Sequence, residues 1–212
     1  MLDNLNIKCT LCGCAEVELQ DYKIRNITDD SCKMYKCKNC ETHFMYPLPS
    51  QDLSEYYDGT FREEVHTADY YDYTELDKVF NNFLSEAKLR TERVKNDLSV
   101  NDTILEIGSS VGYFTAAISD YAKDVYATEW DSKARAYIKD RLAKYNIHVA
   151  KDPEDFETKF DKIFMFHVLE HIEKPIDFLK NLKQLLNENG KIYIEVPNVD
   201  DVMLKTFRCR PF

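Results

Sequence analysis

The sequence predicts an α/β fold in which helices alternate with the strands of a parallel sheet, and a small cysteine-rich module precedes that sheet. Between residues 103 and 196, five short apolar runs alternate with helix-like segments. This rhythm is typical of a parallel sheet with right-handed crossovers. Two CxxC pairs lie earlier in the chain, within the first 40 residues. We therefore predict a zinc-ribbon-like module at 1–50, a tyrosine-rich connector or lid and an amphipathic helix at 51–98, and the sheet domain at 99–212.

Composition limits the choice of partners and compartment. The 212 residues carry a formal charge of −10, which predicts repulsion from nucleic acid and from anionic membranes. The sequence has no apolar run long enough to span a bilayer and no N-terminal signal pattern. We expect a cytoplasmic protein with neither a nucleic-acid nor a membrane partner, and the oligomeric state stays open.

The paired cysteines predict a structural zinc site. Zn²⁺ prefers four soft ligands in a tetrahedron, and each CxxC pair supplies two thiolates. The predicted ligands are Cys9, Cys12, Cys37 and Cys40. The alternatives are a redox-active CxxC pair or replacement of one ligand by Cys14, Cys32 or His43. Short strands are expected at Val17–Leu19, Tyr22–Ile24 and Met34–Lys36.

The connector that follows is rich in tyrosine and acids. It is either a lid whose tyrosines stack on a substrate or a packed linker. From Glu75 to Leu98, apolar residues recur with helical spacing, which predicts a long amphipathic helix.

A glycine turn is the centre of the predicted sheet domain. Thr103–Ile107 reads as a strand, Gly108 and Gly112 bracket a tight turn, and helical spacing begins at Phe114. Such a turn directs backbone N–H groups and a helix N-terminus at a ligand. Glu129 closes the next predicted strand, where a carboxylate can accept hydrogen bonds from both hydroxyls of a ribose. The pattern indicates a nucleoside-containing cofactor.

Three more strands are expected downstream, at Ile147–Ala150, Phe160–His167 and Lys191–Val196. Asp131 or Ser132 is the expected N-cap of a helix that runs to about Lys144. A further helix is expected to begin at Pro175 and to be capped by Asn189–Gly190.

These motifs resemble those of a known family. Glu106–Phe114 resembles the first motif of class I S-adenosylmethionine-dependent methyltransferases, Glu129 is similar to their second-strand acid, and Phe166–Ile172 resembles a fourth-strand motif of one large subgroup. The resemblance covers about Asn101 to Asn198 and implies a Rossmann-like methyltransferase sheet. Since that sheet normally has seven strands and five are found here, we expect the C-terminal strands to be missing. A zinc-ribbon-like module is similar to arrangements that precede such domains in bacterial enzymes acting on sugars and secondary metabolites.

The resemblance also implies a set of residues that bind S-adenosylmethionine. The turn would lie under the methionine moiety, Glu129 would bind the ribose, Trp130 would cover the adenine with Asp152 near its edge, and Glu106 would order the turn. The full set is Glu106, Gly108, Ser109, Gly112, Tyr113, Phe114, Glu129, Trp130, Asp152 and Phe166.

The implied reaction is in-line methyl transfer to a small-molecule or sugar/glycan-precursor acceptor, at oxygen. Proximity supplies much of the acceleration in such a displacement. An oxygen acceptor must also lose a proton, and a histidine at the end of the fourth strand suits this role. His167 is the expected base or acceptor-orienting residue, and His171 is the second catalytic candidate.

Three other functions fit the sequence less well, and a fourth stays as the alternative. The letters His167-x-x-Glu170-His171 match an inverzincin protease motif, which needs a continuous helix and is disfavoured after a strand. Glu170 and His171 could instead hold a divalent ion. Ser110 stands where a dinucleotide fingerprint has its middle glycine, which disfavours an NAD-dependent oxidoreductase. The alternative class is a non-catalytic cofactor- or nucleotide-binding module with a zinc-ribbon docking site.

Overall fold

The protein folds into two compact units. The computed structural model describes residues 7–21, 32–48, 57–58 and 75–199. One unit comprises residues 1–50, 170–180 and 196–212, and the other comprises 51–169 and 181–195. Most of the predicted tyrosine-rich lid and the predicted strand at Tyr22–Ile24 lie outside the described residues. The predicted domain boundaries stay a prediction.

The cysteine-rich part of the first unit is a three-stranded antiparallel sheet. Its strands, in the order β1-β2-β3, are β1 (Val17–Gln20), β2 (Lys33–Cys37) and β3 (His43–Tyr46). The sequence did not predict β3, because its four residues are too few for alternation to stand out. Cys9, Cys37 and Phe44 form a small buried core beneath the sheet.

The second unit contains a parallel five-stranded sheet, which confirms the predicted α/β fold. Its strands are β4 (Thr103–Ile107), β5 (Asp124–Thr128), β6 (Ile147–Ala150), β7 (Phe160–Phe166) and β8 (Leu186–Glu195). The strand order is β6-β5-β4-β7-β8, with every pair parallel. The chain therefore reverses its direction of growth between β4 and β7. Ligands of open α/β sheets bind at the carboxyl ends of the strands beside such a switch point.

Helices lie at the predicted positions, although the first ends at Val94 rather than at Leu98 and two further differences occur. They are α1 (Leu76–Val94), α2 (Tyr113–Ile118), α3 (Ser132–Arg141) and α4 (Pro175–Gln184). Asp131 is the N-cap of α3 and accepts a hydrogen bond from the backbone N–H of Ala134 at 2.7 Å. Among the described residues, no helix is long and apolar enough to cross a membrane.

The first difference is that α3 ends at Arg141, before a single 3-10 turn, rather than at Lys144. The second is that Asn189–Gly190 does not cap a helix. Instead α4 ends at Gln184, and both residues lie in β8, where its pairing with β7 is shifted. Asn189 adopts the left-handed φ of 65°, and a Cβ on Gly190 would lie 3.0 Å from the Phe160 carbonyl oxygen. Close strand approach therefore explains these two residues.

Aromatic packing fixes the glycine turn against the sheet. Phe114, the second residue of α2, is fully buried and packs with Ile104, Ile118 and Phe164. Its ring centroid lies 5.1 Å from that of Phe164 and 4.6 Å from that of Phe166. A buried side chain of this size stabilises the fold by about 2 kcal/mol. Phe114, predicted to contact a cofactor, is therefore a core residue beneath the turn.

Candidate functional site

The turn between β4 and α2 strongly favours glycine at its first position. Gly108 has φ of 72°, and a Cβ there would lie 2.5 Å from Cγ2 of Val168. Gly112 also has a left-handed φ, 77°, and a Cβ there would lie 2.9 Å from Leu142. The backbone N–H groups of Gly108 and Ser109 both donate to the Thr128 carbonyl oxygen at 2.9 Å. These bonds tie the turn to the carboxyl end of β5.

Two serine hydroxyls in this turn are buried without a partner. The Oγ atoms of Ser109 and Ser110 have no hydrogen-bond partner among the described residues. Burying an unpaired hydroxyl costs about 1–3 kcal/mol. Ser110 also has a left-handed φ of 51°. Unpaired polar atoms beside a glycine turn suit a polar ligand group at this position, as the polar methionine end of S-adenosylmethionine would provide.

Glu129 is fixed beside the turn by backbone donors. Its Oε2 accepts a hydrogen bond from the N–H of Ser110 at 2.7 Å, and its Oε1 accepts one from the N–H of Asp131 at 2.9 Å. An ionised carboxylate accepts up to about four hydrogen bonds, and these two backbone donors orient it. The carboxylate thus lies at the carboxyl end of β5 in an orientation compatible with the hydroxyls of a ribose.

An aromatic side chain follows Glu129 directly. Trp130 is half-buried, and its Nε1–H donates to Oδ1 of Asp152 at 2.9 Å. The ring of Tyr57 lies 6.0 Å from the Trp130 ring at an angle of 53°. Arg135 donates to the carbonyl oxygens of both Glu129 and Trp130 at 2.6 Å. Trp130 and Asp152 are therefore in contact with each other, and the backbone of this segment is held from α3.

Glu106 lies under the turn rather than at its surface. It is only 3% exposed, and the Thr115 hydroxyl donates to its Oε2. Burial raises the pKa of Glu106 to about 8, against the opposing effects of the Thr115 hydrogen bond and the charge of Arg90. At neutral pH the group is mostly a neutral acid. Its contact with Thr115 links β4 to α2, in keeping with the predicted role of ordering the turn.

Tyr113 and Phe166 flank the same region. Tyr113 is the first residue of α2, and its ring stacks on Phe83 of α1 with centroids 5.2 Å apart. Phe166 ends β7 and is half-buried, with its ring edge against Phe114. Both rings therefore serve the packing between α1, α2 and the sheet.

His167 stands at the carboxyl end of β7 in a left-handed conformation, with φ of 56°. Its backbone N–H donates to the Glu195 carbonyl oxygen at 2.9 Å. Its Nε2 lies 3.3 Å from Oε1 of Glu195, and the side chain is 50% exposed. The half-exposed imidazole therefore lies beside the switch point of the sheet.

His171 belongs to the other compact unit. It is the last residue of a 3-10 turn over Leu169–His171, and its Nε2 lies 4.0 Å from Oε1 of Glu170. Because a strand and a 3-10 turn occupy this stretch, the continuous helix of an inverzincin motif is absent between His167 and His171. The protease interpretation is therefore excluded.

The four predicted zinc ligands are brought together in the first unit. Their Sγ atoms all lie within 4.8 Å of one another, with Cys9 and Cys40 3.6 Å apart and Cys12 and Cys37 3.5 Å apart. A tetrahedral zinc site with Zn–S bonds of about 2.3 Å has sulfur atoms about 3.8 Å apart. The donor set and its spacing therefore fit zinc.

Hydrogen bonds prepare one of these thiols for a metal. The pKa of Cys12 is lowered to about 6 because the backbone N–H of Cys14 and the side chain of Asn39 donate toward its sulfur. The Asn39 bond has an N–S distance of 3.6 Å. Zinc binds the thiolate form of cysteine, so these donors favour the form that a metal requires.

Sequence reasoning missed two residues beside His167, Arg90 and Glu195. A signal for Glu195 was present, because it closes an apolar strand just as Glu129 does. Arg90 gave no such signal, since a charged residue on an amphipathic helix is ordinary. The structure brings the two side chains together across 105 residues of sequence.

The strand order, the glycine turn after the first strand and the carboxylate after the second define the methyltransferase class of Rossmann-like proteins. A sequence profile described as a methyltransferase domain matches residues 71–209, and the chain belongs to this family. The predicted family is thereby confirmed.

Curated relatives extend the comparison over shorter stretches. A tRNA U34 carboxymethyltransferase from Campylobacter jejuni is 36% identical over 58 residues, which cover 27% of this chain and 20% of the relative. A probable S-adenosylmethionine-dependent methyltransferase from Mycobacterium tuberculosis is 26% identical over 98 residues, 45% of this chain and 35% of the relative. The chain thus spans between a fifth and about a third of the length of these two relatives.

Among solved structures, the complex named DhpI-SAM-HEP aligns with a TM-score of 0.48 and 21% identity, covering 66% of this chain and 67% of that one. A S-adenosylmethionine-dependent methyltransferase from Clostridium acetobutylicum aligns with a TM-score of 0.46 and 15% identity, covering 73% of this chain and 59% of that one.

The relatives overturn one prediction from the sequence. Exclusion of nucleic acid as a partner is wrong, because several matched relatives are named tRNA U34 carboxymethyltransferase. The prediction rested on the net charge, which sums over the whole chain and does not describe a local surface. Residues 132–146, at and after α3, contain one acid, Asp140, against five bases: Lys133, Arg135, Lys139, Arg141 and Lys144.

Proposed function

We propose that the second unit binds S-adenosylmethionine at the carboxyl ends of β4 and β5 and transfers its methyl group to an acceptor at the end of β7. One observation carries this proposal. The unpaired, buried hydroxyls of Ser109 and Ser110 lie in a turn whose neighbouring carboxylate, Glu129, is oriented by the N–H of Ser110. A polar ligand beside a ribose would satisfy both features.

Each residue has a distinct part in this proposal. The backbone from Gly108 to Gly112 would hold the methionine end, Glu129 the ribose hydroxyls, and Trp130 with Asp152 the adenine. S-adenosylmethionine supplies a methyl group that is already activated, so the protein must mainly align the acceptor and accept its proton. His167 is the proposed base, since its exposed ring lies at the strand end where the acceptor would bind.

Two classes of acceptor are compatible with this site. Our first candidate is a hydroxyl of a small molecule or sugar precursor, for which a histidine base at neutral pH is suited. The second is a nucleoside of tRNA, which the names of the matched relatives and the basic residues around α3 support. Transfer of a labelled methyl group to purified tRNA, compared with transfer to a pool of small hydroxylated metabolites, separates the two classes.

Calorimetric titration with S-adenosylhomocysteine tests the cofactor site. We expect saturable binding to the wild-type protein and about tenfold or greater weakening in Glu129→Ala, because a charged hydrogen-bond acceptor is lost. Glu157→Ala is the matched control, since Glu157 is an exposed acid of the same unit. Equal affinities of Glu129→Ala and wild type would contradict the proposed site.

We also propose a structural zinc ion at Cys9, Cys12, Cys37 and Cys40. Metal analysis of the purified chain should give about one zinc per molecule. Cys37→Ser should lose most of this zinc, because Cys37 is a buried member of the cluster. Cys14→Ser serves as control, since its sulfur is not part of the cluster. Retention of zinc in Cys37→Ser would show that these thiols do not form the site.

A further inference from the structure

A carboxylate lies directly beside the proposed base. Glu195 ends β8, the strand next to β7, and its backbone carbonyl oxygen accepts the hydrogen bond from the N–H of His167. Its Oε1 lies 3.3 Å from Nε2 of the same histidine. The two residues are thus joined by a backbone hydrogen bond, and their side chains are in ion-pair contact.

A buried arginine holds this carboxylate in place. Arg90 of α1 is 7% exposed and pairs with both oxygens of Glu195, through Nη2 to Oε1 and through Nε to Oε2 at 3.4 Å. The guanidinium also lies 4.6 Å from the centre of the Phe166 ring and pairs with Glu86 at 2.8 Å. A guanidinium paired with two carboxylates and stacked on a ring has little rotational freedom, so Glu195 is oriented by a rigid partner.

The charges favour an ionised Glu195. Partial burial opposes ionisation, but the hydrogen bond and charge of Arg90, together with the charges of His167 and Arg93, lower the pKa of Glu195 below its ordinary value. Glu195 therefore carries its negative charge throughout the neutral range. A carboxylate beside an imidazole stabilises the protonated ring and selects the tautomer in which the facing nitrogen carries the hydrogen.

The backbone conformation of His167 is also typical of a functional residue. A non-glycine residue with φ of 56° pays a conformational cost, and such residues cluster at functional sites. The bond from its N–H to Glu195 is part of what holds this conformation. The strained backbone turns the histidine out of the strand direction while its ring remains beside Glu195.

We propose that Glu195 is a positioning residue for His167, held by Arg90, and that it makes Nδ1 the proton-accepting atom of the ring. This inference rests on the proposed function, because it assigns His167 as the base. With its hydrogen on Nε2, the ring nitrogen that lies 3.3 Å from the Glu195 carboxylate, the neutral ring has its lone pair on Nδ1. As the acceptor oxygen bonds to the methyl carbon and the carbon–sulfur bond breaks, the acceptor's proton passes to Nδ1. The imidazolium, stabilised by Glu195, then releases that proton to water.

Nitrogen-15 NMR of the histidine rings tests the arrangement in the full chain saturated with S-adenosylhomocysteine. In the wild type we expect His167 to have its hydrogen on Nε2 when neutral. In Glu195→Gln we expect the pKa of His167 to fall by about one unit, because the neighbouring negative charge is removed. Arg90, Arg93 and Glu86, the charged groups described around Glu195, are unchanged in this variant.

Glu92→Gln is the matched control, because Glu92 is an exposed acid of α1 that pairs with Lys95. Glu195→Asp provides the rescue, since it restores the charge and should recover most of the pKa of His167. An unchanged pKa and tautomer of His167 in a folded Glu195→Gln protein would overturn the proposal. So would a pKa in Glu195→Asp that matches Glu195→Gln.

The design separates two kinds of failure. If the chain does not bind S-adenosylhomocysteine, the proposed function fails, whereas the ring titration without ligand still tests the contact between His167 and Glu195. If S-adenosylhomocysteine binds and the titration shows no coupling, the cofactor site stands and the positioning role of Glu195 is refuted. Glu195→Gln should bind S-adenosylhomocysteine with the wild-type affinity, since Glu195 is not among the proposed cofactor ligands.

Discussion

Two carboxylates close strands of the same sheet and are held in opposite ways. Glu129, after β5, is fixed by two backbone N–H groups, that of Ser110 within the glycine turn and that of Asp131, two residues further along the chain. Glu195, at the end of β8, is fixed by the side chain of Arg90 from a distant helix. Local backbone geometry thus builds the proposed cofactor corner, the glycine turn with Glu129. Long-range packing builds the proposed base corner, His167 with Glu195 and Arg90.

A third carboxylate, Glu106, extends this comparison and gives the largest expected effect. It accepts hydrogen bonds from the hydroxyl and the backbone of Thr115, and burial raises its pKa to about 8 despite them. An unfolded glutamate has a pKa of about 4.3, so the folded state binds more protons between these two values. The contribution of Glu106 to stability is therefore full below about pH 4 and declines as the pH rises toward 8.

Urea unfolding across this pH range measures the effect. Glu106→Gln keeps a hydrogen-bonding group but cannot ionise, so the loss of stability of the wild type toward pH 8 should be smaller in the variant. Glu157→Gln, at an exposed acid of the same unit, should follow the wild-type curve. A Glu106→Gln curve parallel to the wild type would contradict the raised pKa.

Gly108→Ala should disrupt the proposed cofactor corner. Its left-handed φ of 72° costs an alanine about 1 kcal/mol, and the clash with Val168 adds about 1–3 kcal/mol. We expect a loss of roughly 3 kcal/mol in the free energy of unfolding and a matching loss of S-adenosylhomocysteine affinity. The double variant Gly108→Ala with Val168→Ala should recover more stability than the sum of the two single changes predicts. If the losses of unfolding free energy in the two single variants simply add up in the double variant, the clash is not the cause.

Arg90→Met should disrupt the proposed base corner. Removing one partner of a buried ion pair costs about 3–5 kcal/mol, and we expect about 2 kcal/mol here because Glu195 is 35% exposed and can be hydrated. Binding of S-adenosylhomocysteine should change less than stability, since Arg90 does not contact the Glu129 corner among the described contacts. Lys88→Met, at an exposed site on the same helix, is the control for thermal and urea unfolding.

Asp131→Ala should give the smallest change. The Asp131 side chain caps α3, and loss of such a cap costs about 1 kcal/mol. Ser132→Ala tests the other cap candidate and should leave the free energy of unfolding nearly unchanged. If chemical denaturation shows a larger loss of stability in Ser132→Ala than in Asp131→Ala, Ser132 is the cap in solution.

Local patterns in the sequence were sufficient for most of the fold. The strands that start at Thr103, Ile147 and Phe160 were predicted because each is a short apolar run bounded by polar or turn residues. Asn189–Gly190 was misassigned because the same dipeptide suits a helix end and a strand irregularity, and only its pairing with β7 decides between them. Tertiary contacts determine such positions, so local propensity cannot.

The candidate site likewise contains residues that local patterns predict and residues that only tertiary contacts bring together. Gly108 and Glu129 were found because a turn and a strand end are local features. The contact between Arg90 and Glu195 spans 105 residues and follows no periodicity, so the sequence could not reveal it. The net charge likewise gave a wrong exclusion of nucleic acid, because it sums over the whole acidic chain and hides the basic segment around Lys139.

The hydrogen bond between Trp130 and Asp152 also has a spectroscopic consequence. Trp130 is the single tryptophan of the chain, so all indole fluorescence arises from one half-buried ring beside the proposed adenine position. Its Nε1–H has a fixed partner, which gives the indole a defined environment before any ligand binds. Stacking of a purine on this ring should quench the emission, so the unlabelled protein carries its own optical reporter of cofactor binding.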